Sequence, residues 1–247
     1  MRDVVRANFV RFNAPFEGVL GFMYTDALGL VTTAMGYLLP TPQSALELQP
    51  YWQVDGRPAT DAEVLASYAA VHHGPKNSSV HAGSIVGNVA RLTADGIQHA
   101  TDIRIGQNEP ILAQGFPLYP TWNAYAQMAL WSMTWAMGPE FYRTFPQFTA
   151  AMLSQPPRFK DGAPPLALGH FRGVGIAGRI AANDKLWLWA QQIQDAGGDP
   201  DEFHWPNGPA GGEFGSIDLT ASTVPPADRT TEPELPDNEP PSTPPAA

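Results

Sequence analysis

Hydrophobic positions near the N-terminus recur at helical spacing, with Val5, Phe9 and Phe12 on one side of a helix over residues 2–12 that Pro15 is expected to limit. The pattern then changes. Phe22-Met23-Tyr24 and Leu30-Val31-Thr32-Thr33 are β-branched and aromatic runs around Asp26-Ala27-Leu28-Gly29, which carries turn chemistry, so residues 18–39 read as short strands joined by a turn. The same stretch is 22 residues long with Asp26 as its only charge, but a membrane span would bury that carboxylate near the bilayer centre. No span is expected.

Residues 40–92 form a mixed stretch in which Thr60-Asp61-Ala62-Glu63 is a capping box for a helix to about His72, followed by a loop-like segment over 74–88. A helix after Thr93 carries Ile97, Ala100 and Ile103, with Pro110 expected to kink or restart it. Residues 123–137 are apolar on most sides, as in a helix enclosed by others, and residues 183–196 place Leu186, Trp189, Ala190 and Ile193 on one stripe. Trp187 and Trp189 lie on adjacent faces of that helix, with core packing as the default for both.

Composition sets the boundary and narrows the classes. The chain has 247 residues, 43% hydrophobic, enough for a sizeable core. Residues 213–247 hold seven acids, one arginine and eight prolines with almost no apolar cluster, which predicts a disordered Pro-rich acidic tail after a domain over 1–212. That tail holds −6 of the net −10, so the domain is only mildly acidic. Surplus negative charge argues against a nucleic-acid partner. Zero cysteines exclude disulfides and thiol catalysis, while His72, His73, His81 and His99 complete no metal-ligand pattern, so neither metal nor cofactor is expected. No basic and apolar leader opens the sequence, which reads as a protein made in the cytoplasm without a signal peptide.

Three polar residues in the first forty suggest chemistry. Glu17 follows the first helix, Asp26 sits nine residues on beside the turn, and Thr32 six further in the next strand. Glycoside hydrolysis needs an acid for the leaving oxygen and an opposing carboxylate that orients or activates water, and a hydroxyl can help hold that water. Each residue also has an ordinary structural role: a solvated helix end, a turn-stabilising Asp and a packed strand Thr. Gly173-Val174-Gly175-Ile176-Ala177-Gly178 is a competing GxGxxG, but a helical body precedes it and a Pro-rich tail follows, so it lacks the alternating strands of a dinucleotide fold.

Phe16-Glu17-Gly18, Tyr24-Thr25-Asp26-Ala27-Leu28-Gly29 and Thr32-Thr33-Ala34-Met35-Gly36-Tyr37-Leu38-Leu39 together resemble the opening of the phage-type lysozymes, glycoside hydrolase family 24. Ala129-Leu130-Trp131-Ser132-Met133-Thr134-Trp135-Ala136-Met137-Gly138 is similar to that family's buried helix and its ending glycine, and residues 179–205 to its closing helices. Residues 40–91 are unmatched. The resemblance implies an α+β, mostly α, lysozyme-like domain with a small β-hairpin lobe and a helical lobe. It implies a muramidase acting on the glycan strands of bacterial peptidoglycan, at the cell wall after release, injection or non-classical export. By the same resemblance Glu17 is the general acid, Asp26 the water-orienting carboxylate and Thr32 the water's second partner.

Two departures accompany it. Tyr37 stands where the family has His, a structural contact, and Ala136 stands where an amide side chain contacts sugar, which touches substrate affinity or sugar preference. Ala136 is thus the candidate substrate-binding position. It also motivates the alternative of a glycan-binding protein with the lysozyme fold and no turnover.

Overall fold

The computed structural model describes residues 1–162 and 177–210. In chain order the elements are α1 (Asp3–Glu17), β1 (Leu20–Thr25), β2 (Val31–Ala34), β3 (Tyr37–Leu38), α2 (Pro42–Leu46), β4 (Trp52–Val54), β5 (Arg57–Pro58), α3 (Asp61–His72), β6 (Arg91–Leu92), α4 (Ala94–Gly115), α5 (Ala124–Met137), α6 (Pro146–Leu153) and α7 (Ala177–Ala196). This is an α+β fold, mostly α, with one six-stranded antiparallel sheet in the order β3-β2-β1-β6-β4-β5. Among the described residues no helix is long and apolar enough to cross a membrane. The tail over 213–247, and the boundary proposed for it, lie outside the described residues, as do residues 173–176 of the Gly-rich hexapeptide.

Local chemistry accounts for most of these elements. Thr60 and Glu63 form the reciprocal capping box of α3: Thr60 Oγ1 accepts from the Glu63 N–H and Glu63 Oε2 accepts from the Thr60 N–H. Asn123 caps α5 by accepting from the Ala126 N–H at 3.1 Å, and Gly138, at φ 84°, ends it. Between those caps every residue from 124 to 135 is buried, with Phe9 of α1 set edge-on against Trp131 and Trp135 at 6.5 and 5.1 Å. Trp187 of α7 is fully buried against Phe148 and Phe159, while Trp189, partly buried, packs on Tyr125 and Trp205.

Three expectations change. First, α1 does not stop near residue 12: it runs through Pro15, so Glu17 is its last residue instead of following it. Pro15 lacks only the one N–H that Arg11 would have accepted, and its ring faces solvent. Phe16 gains an edge-on contact with Phe12 at 5.6 Å, and the Gly18 N–H, at φ 71°, closes the helix on the Ala14 carbonyl. Second, α4 does not restart at Pro110 but runs on through it to Gly115. Third, the hairpin of β1 and β2 is not a separate small unit, because residues 40–91 extend the same sheet.

Phe22 of β1 pairs with Arg91 of β6, and β6 pairs with β4. The β4–β5 hairpin turns on Asp55-Gly56, both at positive φ (49° and 79°), the two-residue arrangement that Asp-Gly favours. α3 then covers the sheet with Val64, Tyr68 and Val71 buried, the Tyr68 hydroxyl donating to the Leu39 carbonyl at 3.2 Å.

Candidate active site

The sheet delivers Asp26 and Thr32 from adjacent strands. Tyr24 of β1 is opposite Thr32 of β2, and the Asp26 N–H closes the turn on the Leu30 carbonyl at 3.0 Å. The Thr32 hydroxyl donates to that same carbonyl at 3.2 Å, so one oxygen joins both residues. A Thr hydroxyl that donates inward keeps its lone pairs as acceptors, the half of the bonding that a held water needs.

Asp26 Oδ1 accepts from the Leu28 and Leu30 N–H groups at 2.9 and 2.8 Å. This is the turn-stabilising role expected of Asp in general, and it also fixes the carboxylate plane. Oδ2 lies outside that pair of bonds. Exposed Leu28 and Leu30 flank the group at the hairpin tip.

Residues 40–91, which the resemblance leaves unmatched, brace this turn from behind. The Asn77 N–H donates to the Asp26 carbonyl and the Ser78 N–H to the Thr25 carbonyl, both at 2.9 Å. Ser78 Oγ in turn accepts from the Thr25 N–H at 2.9 Å, and the Thr25 hydroxyl lies 3.0 Å from it. Asn88 ties the same loop to β1 by donating to the Met23 and Ala82 carbonyls at 2.8 Å. The backbone that positions Asp26 is therefore held by the Asn77 and Ser78 backbone N–H groups together with the Ser78 hydroxyl, 53 residues on from Thr25.

Glu17 is held differently. Its Oε1 accepts from Arg179 Nη2 at 2.5 Å, joining the end of α1 to the start of α7; the arginine side chain is 6% exposed and the carboxylate 23%. Arg179 also lies over the Phe16 ring at 5.4 Å. Pattern reasoning missed Arg179 as a site residue because its partner is 162 positions away. Ion-pair geometry of that reach leaves no local signal.

Arg104, in the middle of α4, is the second residue missed. Its guanidinium stacks on Trp135 at 4.0 Å, donates to the Gly36 carbonyl at 3.1 Å and lies 3.5 Å from the Trp135 carbonyl. Trp135 Nε1 meanwhile donates to the Met35 carbonyl at 3.2 Å. These contacts pin the turn between β2 and β3 to the end of α5. Burial lowers the pKa of Arg104, while the fields of Glu17 and Tyr24 act in the opposite direction.

Glu17 makes no direct contact with Asp26 or Thr32; Arg104 is the group whose field reaches both Glu17 and the Tyr24 opposite Thr32. Ala136 is exposed on the last turn of α5, beside Trp135, and its methyl can offer a sugar only van der Waals contact. Tyr37 is buried beside Gly36, and burial, then the charge of Glu47, raises its phenol pKa. His72 stacks on Tyr68 and His99 lies against Tyr51, ring contacts that give both a packing role. Compared with known proteins, the chain matches no family model and no curated sequence.

Proposed function

We propose that the protein is a peptidoglycan hydrolase, a muramidase that cleaves the β-1,4 bond between N-acetylmuramic acid and N-acetylglucosamine. The observation that supports this reading is the pairing of Asp26 and Thr32 on one carbonyl, in the hairpin that follows the Glu17 helix. A glutamate ends a helix that runs directly into β1, and an aspartate and a threonine share one carbonyl at the far end of that strand. Glu17 protonates the leaving oxygen. Asp26 and Thr32 hold the water that attacks from the opposite face, so the reaction inverts the anomeric centre.

Arg179 fixes the direction in which Glu17 points. The Asp26 turn holds Oδ1 with two backbone N–H groups, so that Oδ2 can take the proton of the attacking water. Neither metal nor cofactor enters this scheme. The lysozyme-like architecture belongs to the same proposal.

Digestion of purified peptidoglycan followed by mass analysis of the soluble muropeptides tests it. Fragments ending in reducing N-acetylmuramic acid are expected, and are expected to vanish with Glu17→Gln. Fragments ending in reducing N-acetylglucosamine would move the cut to the other glycosidic bond. Binding of the glycan without new reducing ends would favour the non-catalytic alternative, for which Ala136 is the motivating residue.

A further inference from the structure

Most arginines of known partner in the described residues meet a carboxylate: Arg2 with Asp201, Arg6 with Asp102, Arg57 with Glu63, Arg143 with Glu140, Arg158 with Asp161 and Arg179 with Glu17. Arg104 differs. Its contacts are two backbone carbonyls and an aromatic face, so its charge is half-buried, within the field of Glu17 but in no ion-pair contact with a carboxylate among the described residues. A guanidinium has five donors in one plane; Nη1 and Nη2 of Arg104 each turn one N–H to a carbonyl, and stacking on the aromatic ring leaves the other three in-plane donors for an anion. Holding a cation partly out of water without a contacting carboxylate is costly, and an anion that reaches it offsets that cost.

The surroundings of this cation include elements that carry the candidate site. Gly36 belongs to the turn that follows the strand bearing Thr32, Trp135 precedes the exposed Ala136, and Glu17 lies within the field of the guanidinium. A glycan seated between Glu17 and the pair Asp26–Thr32 would therefore run past Arg104. Neutral sugars offer it only hydroxyls and amides. A muramic acid offers a carboxylate, either on its own lactyl group where that is unsubstituted or on the first acidic residue of an attached stem peptide.

We propose that Arg104 is the anion-recognition residue of the cleft, selecting glycans that carry a carboxylate beside the scissile bond over neutral ones. The inference rests on the reading of the cleft as a glycan site. It also answers the loss of a polar side chain at Ala136: specificity moves from an amide at the end of α5 to a cation on α4.

The test compares the full-length wild type with Arg104→Gln and Arg104→Lys on three soluble substrates. These are peptide-free glycan strands with free lactyl carboxylates, the same strands after methyl esterification, and strands bearing intact stem peptides. Wild type is expected to prefer the acid form to the ester. Arg104→Gln is expected to lower kcat/KM on carboxylate-bearing strands by about 10- to 100-fold, through KM, since a charge-assisted hydrogen bond is lost. The ratio of its rates on acid and esterified strands should fall toward one whatever its absolute rate, and Arg104→Lys should regain part of the preference.

A loss confined to peptide-free strands assigns the lactyl carboxylate, and one confined to peptide-bearing strands assigns the stem. Equal losses on acid and ester would mean that Arg104 only braces the turn at Gly36, and would overturn the proposal. If Arg104→Gln fails to fold, Arg104→Lys decides: a weaker preference for acid over ester than the wild type's upholds the proposal, and a preference unchanged from wild type, or a wild type with none, overturns it. If wild type cleaves no substrate, the hydrolase reading fails by itself. The acid and ester forms of a muramic-acid tetrasaccharide are then titrated by calorimetry: a preference for the acid that Arg104→Gln abolishes upholds the proposal, and its absence overturns it.

Discussion

Glu17 and Asp26 are the two candidate-site carboxylates, and the molecule holds them by opposite means. Glu17 ends a helix and is aimed by one side chain, Arg179, from the far end of the fold. Asp26 is aimed by its own turn, through the Leu28 and Leu30 N–H groups, with the strand end braced by Asn77 and Ser78. The lesson is about failure modes. A change at Glu17 disturbs a buried charge, whereas a change at Asp26 disturbs local backbone bonds that a neutral isostere can keep.

The largest expected effect follows from the first half of that contrast. Glu17→Gln should lower glycan cleavage by about 10²–10⁴-fold, because an amide cannot donate the acid's proton. Considered from sequence alone, a cleft carboxylate exchanged for an amide leaves stability unchanged or raised. The Arg179 contact changes this expectation. Gln keeps one acceptor but leaves a nearly buried guanidinium without its counter-charge, so a loss of about 1–3 kcal/mol is expected, well short of what deleting a fully buried partner costs. Denaturant unfolding and reducing-end assays on the same preparation measure the two together.

Asp26→Asn sharpens the other half. The Asn oxygen can accept from both N–H groups, so stability should stay within about 0.5 kcal/mol of wild type while activity collapses. Asp26→Ala should lose activity and about 1 kcal/mol or more as well. An Asp26→Asn protein that still turns over at the wild-type rate would leave Asp26 with the turn as its sole role.

Much of this was legible because the determinants are local. The turn over residues 26–29, the Thr60–Glu63 capping box and the Asn123 and Gly138 ends of α5 each lie within a few residues of what they control. The Asp55-Gly56 hairpin carried an equally local signal, a two-residue Asp-Gly turn between Val54 and Arg57, and went unread inside a stretch treated as mixed. Pro15 misled for the opposite reason, since the contacts of Phe16 and Glu17 outweigh one missing helix bond. Arg179 and Arg104 become site residues only through packing between distant elements. No spacing rule reaches them.

Ser78→Ala probes the brace behind Asp26. It removes the acceptor of the Thr25 N–H and should cost about 1–2 kcal/mol, with a smaller loss of activity than Asp26→Asn, because the Ser78 and Asn77 backbone bonds remain. A variant as active and as stable as wild type would detach residues 40–91 from the positioning of the turn.

The smallest effect is expected on the helical side, one turn beyond Arg179. Asp184 of α7 has a buried Oδ1 with no hydrogen-bond partner among the described residues, and burial raises its pKa. The unfolded carboxyl ionises near about pH 3.9 and the folded one only at higher pH, so the penalty is absent in acid and grows as pH rises through that window. Asp184→Asn should therefore raise the Tm by a few degrees at pH 7 and leave it unchanged below about pH 3. The opposite sign would mean that the ionised carboxylate is favoured in the fold.

The account turns on Asp26 and Thr32 holding a water opposite Glu17, and the first anomer released reports on that directly. Proton NMR of a glycan-strand digest, recorded in the first minutes before mutarotation, is predicted to show the α-anomer of the new reducing end. Inversion requires a water between carboxyls set about 6.5–9.5 Å apart, whereas a nucleophilic carboxylate at about 5–5.5 Å gives retention. An initial β-anomer, or no new anomeric signal at all, would contradict it.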